Sequence, residues 1–467
     1  MRSLPALLLA FLACLSLRPV PVTAQDDDPG FETGCGCGGE AVEDDEETRR
    51  KKNVGLAGQG KGDEGDPDAP KVQADLQTRI NKAIEAGVKW LEERQDKDGS
   101  WGPVKGNRLY GSDEVVDMER DRTGPTSFAI YTLSKCGVKS TDSTIKKGLK
   151  WLEHTKLAHD VFGKEEVRGD ATAILTTYES ASIVLMLEAL HERSAKLTGR
   201  HSQRRLYSDN PLKPPSKSRF DKDDWMWMHD RILFLTKGRT IGGGGARGKS
   251  RTTTIQGSQN PGGGWRYGQA SGDQDLSATQ FCLLALRAAS QAGYPLDKVA
   301  PDTFKWAAEY CRTVQAPDGS FSYQRGKPTS AGMDACGIGS LLICKEQMEL
   351  MGQEVPSWID DSIKRGLEHL DKVFDATQNK GWHEGGANIY YYLYAVERVG
   401  DLTGRKEFAG KDWYVRGAEF LLSQQDADGK WVDNTTWEPR DVLGTCFALL
   451  FLKRATPPVV TMRRDDG

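Results

Sequence analysis

Apolar positions along the chain follow two alternating helical patterns. The first places apolar residues on one face at helical spacing, as in Ile80, Ile84, Val88 and Leu91, with charged residues opposite. This pattern predicts amphipathic helices at residues 76–95, 143–156, 223–237, 302–314, 358–374 and 413–424. The second is apolar nearly all round, as in FCLLAL at 281–286, and predicts helices at 126–136, 171–195, 275–292, 331–351, 387–399 and 441–453.

The alternation of the two patterns predicts how the helices pack. A helix that is apolar on every face has to be buried on every face. Six hairpins closed into a ring, with the apolar helices inside, satisfy this requirement and leave no apolar end to be capped. The pattern therefore predicts an all-α fold, an α/α toroid of six helical hairpins over residues 76–456, with inner and outer rings of six helices each.

A short phrase recurs between the paired helices. It occurs as QDKDGSW at 95–101, QNPGGGW at 259–265, QAPDGSF at 315–321 and QDADGKW at 425–431, with a shortened QNKGW at 378–382. A repeat of this kind is typical of stacked copies of one unit. Its glycine suits a turn with positive φ after the outer helix. We expect the aromatic residue to wedge between neighbouring hairpins and the glutamine to bond to backbone groups.

Two of the repeats carry a family resemblance. KRGLEHL at 364–370 and RGAEFLLSQQDADGKW at 416–431 resemble the repeated Gln-Trp element of squalene and oxidosqualene cyclases and, more weakly, of protein prenyltransferase β-subunits. The resemblance covers about residues 76–453 and implies the six-hairpin toroid. That toroid hosts cyclases, prenyltransferases and non-enzymatic thioester proteins, so the resemblance is far less specific about function.

One candidate catalytic acid opens an inner helix. Squalene-hopene-type cyclases protonate an alkene with the Asp-x-Asp-Asp motif, and this chain has Asp273, Gln274, Asp275 and Leu276 in its place. The resemblance implies Asp275 as the acid, assisted by Asp273, but Leu276 replaces the last carboxylate. An aspartate at a helix start also serves as an N-cap, which is the interpretation that the residues themselves favour.

A second incomplete motif concerns zinc. Prenyltransferases hold zinc with an Asp-x-Cys pair on one inner helix and a histidine on the next, and Asp334 and Cys336 match the pair. His383, about two turns before the expected position, is the remaining candidate ligand. A zinc site needs at least three protein ligands. The sequence therefore predicts no cofactor, with zinc at Asp334, Cys336 and His383 as the alternative.

Residues predicted to line a central cavity come from equivalent positions of several repeats. Thr126, Thr279 and Thr445 each precede a leucine by seven residues, and Tyr390 and Tyr391 lie in a cluster of tyrosines. Small residues allow inner helices to approach closely, and aromatic side chains suit an apolar or isoprenoid ligand.

The remaining segments determine where the toroid is expected to act. Arg2, an apolar run over residues 4–17 and small residues up to Ala24 predict a signal peptide at 1–24, and therefore a secreted or periplasmic protein. Residues 25–75, acidic and glycine-rich, predict a disordered tether, and residues 457–467 a disordered tail. Basic insertions at 196–220 and 237–257 are expected together at one mouth of the ring.

The net charge and the length of the apolar runs limit the kinds of partner that the protein is expected to bind. The net charge of −4 indicates no nucleic-acid binding, and no stretch is long and apolar enough to cross a membrane. The first hypothesis is a binding or interaction protein that holds an apolar small molecule or a peptide in its cavity, with cell-envelope contact through the basic loops. The alternative is a cyclase- or prenyltransferase-type enzyme that uses Asp275 or zinc.

Overall fold

The computed structural model describes most of the predicted helical region, and all described residues belong to one compact unit, Gly60–Gly467. The described residues are 69–102, 122–156, 158–159, 165–166, 177–191, 207–216, 218–237, 239–242, 252–255, 262–266, 274–381, 388–433 and 439–455. The predicted signal peptide, residues 25–68 of the predicted tether and the predicted tail lie outside them, as do Asp273 and His383.

Twelve helices in the described residues pair as the sequence predicts. The outer helices are α1 (Ala69–Glu93), α3 (Ser143–Leu152), α5 (Lys222–Lys237), α7 (Thr303–Thr313), α9 (Trp358–Val373) and α11 (Trp413–Gln424). The inner helices are α2 (Thr123–Lys135), α4 (Thr177–Leu190), α6 (Leu276–Gln291), α8 (Ala331–Leu350), α10 (Ile389–Thr403) and α12 (Arg440–Lys453). Helix α1 begins at Ala69, inside the segment predicted as tether. A single turn at Leu296–Val299 and a 3-10 turn at Glu153–Thr155 are additional.

Burial follows the two hydrophobic patterns. In outer helix α9 the buried positions include Ile359, Ile363, Gly366 and Leu370, which lie on one face at helical spacing. In inner helix α6 every residue from Leu276 to Ser290 is buried. Helix α9 therefore presents one face to solvent and α6 is covered on all sides, whereas outer helix α5 is an exception, with every residue from Trp225 to Ile232 buried.

The inner helices form a closed ring. Each contacts the next in the order α2, α4, α6, α8, α10 and α12, and α12 returns to α2. Phe128 of α2 and Phe447 of α12 place their ring centroids 5.2 Å apart across this closure. In the outer layer, Gln425 Nε2 donates to the Ala83 carbonyl oxygen of α1 at 3.0 Å. The predicted α/α toroid is confirmed.

Each of the four full copies of the recurring phrase fastens its hairpin to the next outer helix. Gln315 Nε2 donates to the Ser362 carbonyl oxygen of α9 at 2.9 Å. Gly319 has φ +95°, and a Cβ there would overlap the Arg365 carbonyl oxygen of the same helix. The Phe321 ring lies against Gly337 of α8 and Gly366 of α9, so it wedges between the two hairpins. Equivalent contacts join Gln95 to Thr144, Gly99 to Lys147, Gly263 to Trp306 and Gly429 to Ala86.

Three short β-hairpins interrupt the helices. They pair β1 (Ala158–His159) with β2 (Glu165–Glu166), β3 (Arg239–Gly242) with β4 (Thr252–Ile255), and β5 (Glu407–Phe408) with β6 (Lys411–Asp412), all antiparallel. The β3–β4 ladder lies inside the second basic insertion, which the sequence predicts as a loop.

The two basic insertions lie at opposite ends of α6, not at one mouth as predicted. In the first insertion, Ser208 N–H donates to the Gly293 carbonyl oxygen, just after the C-terminus of α6, at 2.9 Å. The second insertion instead leads from α5 into Trp265, which pairs with Asp275 at the N-terminus of α6. The reason is the order of the elements along the chain. The first insertion precedes outer helix α5 and the second follows it, so the two lie at its opposite ends. Among the described helices, none has the length and apolar character to cross a membrane.

Candidate functional site

Asp275, the predicted acid, is a fully buried helix cap. One carboxylate oxygen, Oδ1, accepts the backbone N–H of Ala278 at 2.7 Å, and the other, Oδ2, lies 2.9 Å from Arg266 Nη1. Arg266 Nη1 also donates to the Tyr323 hydroxyl at 3.0 Å. Burial raises the pKa of Asp275 to about 6, against the lowering effect of Arg266 and of the Ala278 N–H.

These contacts constrain the chemistry that Asp275 can perform. Protonation of an alkene needs a neutral, strongly acidic carboxyl whose proton faces the substrate. Both oxygens of Asp275 are occupied by protein donors, and its pKa of about 6 leaves it largely ionised at neutral pH. Leu276 replaces the neighbouring carboxylate, and Asp273 lies outside the described residues. The arrangement is that of a cap and ion pair at the start of α6.

Asp334 and Cys336, the predicted metal ligands, have separate partners. Asp334 accepts the Phe321 backbone N–H at 2.6 Å and lies 2.9 Å from His369 Nδ1. The Cys336 sulfur instead lies 3.3 Å from the Tyr391 hydroxyl. Asp334 thus reaches outer helix α9 and Cys336 reaches inner helix α10, so the two side chains do not converge. Burial raises the pKa of Asp334 to about 6 and that of Cys336 to about 11.

The zinc alternative does not fit this geometry. A zinc site needs convergent ligands, whereas Asp334 contacts Phe321 and His369 and Cys336 contacts Tyr391. The histidine brought to Asp334 is His369 of outer helix α9; His383 lies outside the described residues. Within the described part of the chain, no three His, Cys, Asp or Glu side chains are grouped as metal ligands.

The three predicted cavity threonines bond to the recurring phrase. Each hydroxyl accepts the backbone N–H of the phrase's tryptophan at 2.9 to 3.1 Å: Thr126 from Trp101, Thr279 from Trp265 and Thr445 from Trp431. Asp334 occupies the same position in its own repeat, where it accepts from Phe321. The sequence carried a signal for this equivalence, because Asp334 also precedes a leucine, Leu341, by seven residues.

Tyr391 is the predicted lining residue that does reach the ring axis. Its hydroxyl lies 2.7 Å from Ser277 Oγ and accepts from Gln280 Nε2 at 3.2 Å. Its ring is parallel to that of Phe281, with centroids 6.3 Å apart, and it meets Phe447 edge-on at 5.6 Å. Tyr390 is also buried, but the charges acting on it are those of Asp433 and Asp426. Side chains from α6, α8, α10 and α12 thus meet at Tyr391.

Arg398 is a buried axial charge that the sequence analysis missed. Its side chain is 1% exposed, and its Nη2 donates to Gln280 Oε1 at 2.7 Å. The guanidinium carbon lies 4.0 Å from the centre of the Tyr394 ring, a cation–π contact. Its Nη1 has no hydrogen-bond partner. The available signal was an arginine within the otherwise apolar stretch of α10, since such a residue is rarely buried unless it is paired.

Open space lies beside Gly339 of α8. This glycine is buried, yet a Cβ built on it would have no atom of the described residues within 4 Å apart from its chain neighbours and the backbone of its own helix. Gly339 follows Cys336 by three residues, so the two share the face of α8 that meets Tyr391. The charge of Arg398 also acts on Cys336, lowering the pKa of its thiol against the larger effect of burial. Cys336, Tyr391 and Arg398 therefore belong to one axial region, and Gly339 lies one helical turn from Cys336 on α8.

Comparison with known proteins agrees with this architecture. Residues 71–192 match the squalene-hopene cyclase C-terminal domain, and residues 246–462 match the prenyltransferase alpha-alpha toroid domain. No curated protein matches the chain.

Two solved structures with similarity to the chain are helical enzymes. One is a variant of the type II terpene cyclase MstE from Scytonema with geranylgeranyl dihydroxybenzoate, at 10% identity and TM-score 0.46, covering 82% of this chain and 99% of that one. The other is the family 76 glycoside hydrolase (mannosidase) Bt3792 from Bacteroides thetaiotaomicron, at 9% identity and TM-score 0.45, covering 81% and 97%. The two domain matches identify the chain as an α/α toroid that is similar to the squalene-hopene cyclase C-terminal domain and to the prenyltransferase toroid domain.

Proposed function

We propose that this toroid is a binding protein that holds one apolar small molecule at the axis of its inner ring. The observation that carries the proposal is the buried open space beside Gly339, in a region walled by Tyr391 and its neighbouring rings. Unfilled space in a core costs stability. Ligand sites are typically concave, largely apolar and supplied with a few polar groups, and the hydroxyl and amide groups around Tyr391 meet that description.

The hydrogen bonds of the two candidate catalytic carboxylates favour a binding protein over an enzyme. Asp275 caps α6 and pairs with Arg266, while Asp334 accepts bonds from Phe321 and His369. Asp334 thus serves the junction between phrase and inner helix that threonine serves in other repeats, and Asp275 serves as the cap of α6. An isoprenoid is the first ligand class to test, because both matched domain families are named for isoprenoid chemistry.

Native mass spectrometry of the purified full chain tests the proposal. We expect a mass excess of one small molecule per chain that disappears on denaturation, or uptake of one added geranylgeraniol by protein first stripped of lipid. The matched control is the same protein after thermal unfolding. A bare chain mass that stays unchanged with geranylgeraniol would contradict axial binding.

A cyclase remains the second candidate because burial raises the pKa of Asp275 to about 6. A carboxyl with a raised pKa retains its proton further into the acidic range, as a general acid requires. The test is conversion of geranylgeranyl substrates at about pH 5.5 by the wild type and by Asp275→Asn. Conversion that is lost in a folded Asp275→Asn variant would favour the enzyme. Absence of conversion, or equal conversion by both proteins, would exclude Asp275 as the acid.

We further propose that the protein is exported and that the basic insertions contact cell-envelope polymer. The targeting features before Ala24 support export. Amino-terminal sequencing of protein from the native host should begin at Gln25, and an intact Met1 would contradict cleavage. Contact with an anionic polymer should weaken as salt rises from about 0.05 to 0.5 M, because exposed charges are then screened.

A further inference from the structure

Arg398 carries a positive charge into the inner ring. The side chain is 1% exposed, so water does not solvate it, and its two protein contacts, with Gln280 and the Tyr394 ring, are to neutral groups. Burying a charge is strongly unfavourable unless it is paired and hydrogen-bonded. Nη1 nonetheless lacks any hydrogen-bond partner.

A second buried arginine of the inner ring shows what pairing looks like in this fold. Arg287 of α6 is 3% exposed, and its Nε and Nη2 reach the two carboxylate oxygens of Glu346 at 2.5 and 3.0 Å. No carboxylate oxygen of the described residues lies within 4.0 Å of the Arg398 nitrogens in this way. The adjacent acid, Glu397, is also buried, and its charge acts on Tyr394 and Tyr131 of the inner ring as well as on Tyr414 and Arg454, but it forms no ion pair with Arg398.

We infer that Arg398 binds the carboxylate of an apolar acid whose tail occupies the space beside Gly339. This inference rests on the proposed function and names the chemical class of its ligand. A guanidinium matches the planar geometry of a carboxylate, and Nη1 offers the donors that the protein leaves free.

The neighbours of Arg398 favour an anion over a neutral ligand. Gln280 accepts a hydrogen bond from Nη2 of Arg398, and the Tyr394 ring makes a cation–π contact with the guanidinium. These two contacts hold Nη1 in position. The hydrogen-bonding groups at the Tyr391 hydroxyl are Ser277 Oγ, Gln280 Nε2 and the Cys336 sulfur. The axial region thus holds a guanidinium without an ion pair beside aromatic rings, and an amphiphilic acid complements both features.

The test is calorimetric titration of the lipid-stripped full chain with octanoate, with octan-1-ol as the neutral probe of equal chain length. We expect octanoate to bind at least tenfold more tightly than octan-1-ol. Arg398→Gln, which keeps a polar group facing Gln280, should remove that difference. Arg312→Gln is the matched control, because Arg312 lies on the solvent-exposed face of outer helix α7, where its side chain is 55% exposed.

The outcomes separate the two proposals. Equal binding of both probes overturns the carboxylate assignment and leaves apolar binding at the axis standing. Binding of neither probe overturns both proposals. Inorganic phosphate that binds as tightly as octanoate overturns the role of the apolar tail. If Arg398→Gln does not fold, Gly339→Ala provides the second variant, since its methyl group enters the open space. It should weaken octanoate at least threefold, and unchanged affinity would contradict the inference.

Discussion

The ring closure makes a quantitative prediction at Gly429, the glycine of the last phrase. This residue has φ +98°, and a Cβ on it would lie 2.6 Å from the Ala86 carbonyl oxygen of α1. Gly429→Ala therefore combines a strained backbone with a clash against the first helix of the ring. Left-handed backbone costs a non-glycine residue about 1–2 kcal/mol, and overpacking adds about 1–3 kcal/mol. We expect a loss of about 2–5 kcal/mol in the free energy of unfolding.

Gly410 provides a matched control in the exposed turn between β5 and β6. It has φ +66°, but a Cβ on it would have nothing within 4 Å. Gly410→Ala therefore incurs only the backbone cost, and both variants share the reduced entropy of the unfolded chain. The difference between the two variants contains the contact across the ring closure, which we place at about 1–3 kcal/mol, together with the larger backbone strain at the φ of +98° of Gly429.

Urea unfolding followed by tryptophan fluorescence and circular dichroism measures both losses. Similar slopes would indicate that the variants unfold from equally compact states, so the midpoints report stability. A Gly429→Ala protein no less stable than Gly410→Ala would refute the reasoning, because the last phrase would then not press against α1.

Three further substitutions test the inner ring. Gly337→Ala places a methyl group against the Phe321 ring and should lower the free energy of unfolding in urea by about 1–3 kcal/mol. An unchanged free energy of unfolding would contradict the packing of this ring between the two hairpins. Gly339→Ala, two residues on, enters open space and should stabilise the ligand-free protein by about 0.5–1 kcal/mol through helix propensity; a loss would show that the space is filled. Asp275→Asn tests the raised pKa of the wild-type carboxyl. Because this pKa is about 6 in the folded protein, above the ordinary value, the wild-type protein loses stability as Asp275 ionises between about pH 4 and 6. Asparagine retains the cap without titrating, so the free energy of unfolding of the variant should rise by up to ~3 kcal/mol relative to that of the wild type between pH 4 and 7. A difference between the two proteins that does not change with pH would contradict the raised pKa of Asp275.

The helices could be predicted from sequence because their pattern is local. The one-sided apolar spacing of α9 and the all-round apolar character of α6 each depend on residues within a few turns. Closure of the ring followed from the burial that six apolar helices require. The phrase marked the boundaries, and its glycine and glutamine make the contacts that their chemistry suggested.

The site could be predicted less well because its contacts join distant repeats. Asp334 and His369 are 35 residues apart, and Arg398 and Gln280 are 118 apart, so no local spacing indicates that they meet. Asp334 and Cys336 share a sequence motif but face different layers of the ring. Motif resemblance reports residue types, whereas the direction of each side chain depends on its place on the helix.

The most direct measurement of axial binding is the electron density beside Gly339 in crystals of protein purified with its native ligand. The account predicts density for an elongated molecule that fills the space beside this glycine, with an anionic end within hydrogen-bond distance of Arg398 Nη1. A guanidinium that instead meets only water, with side chains closed over Gly339, would contradict it.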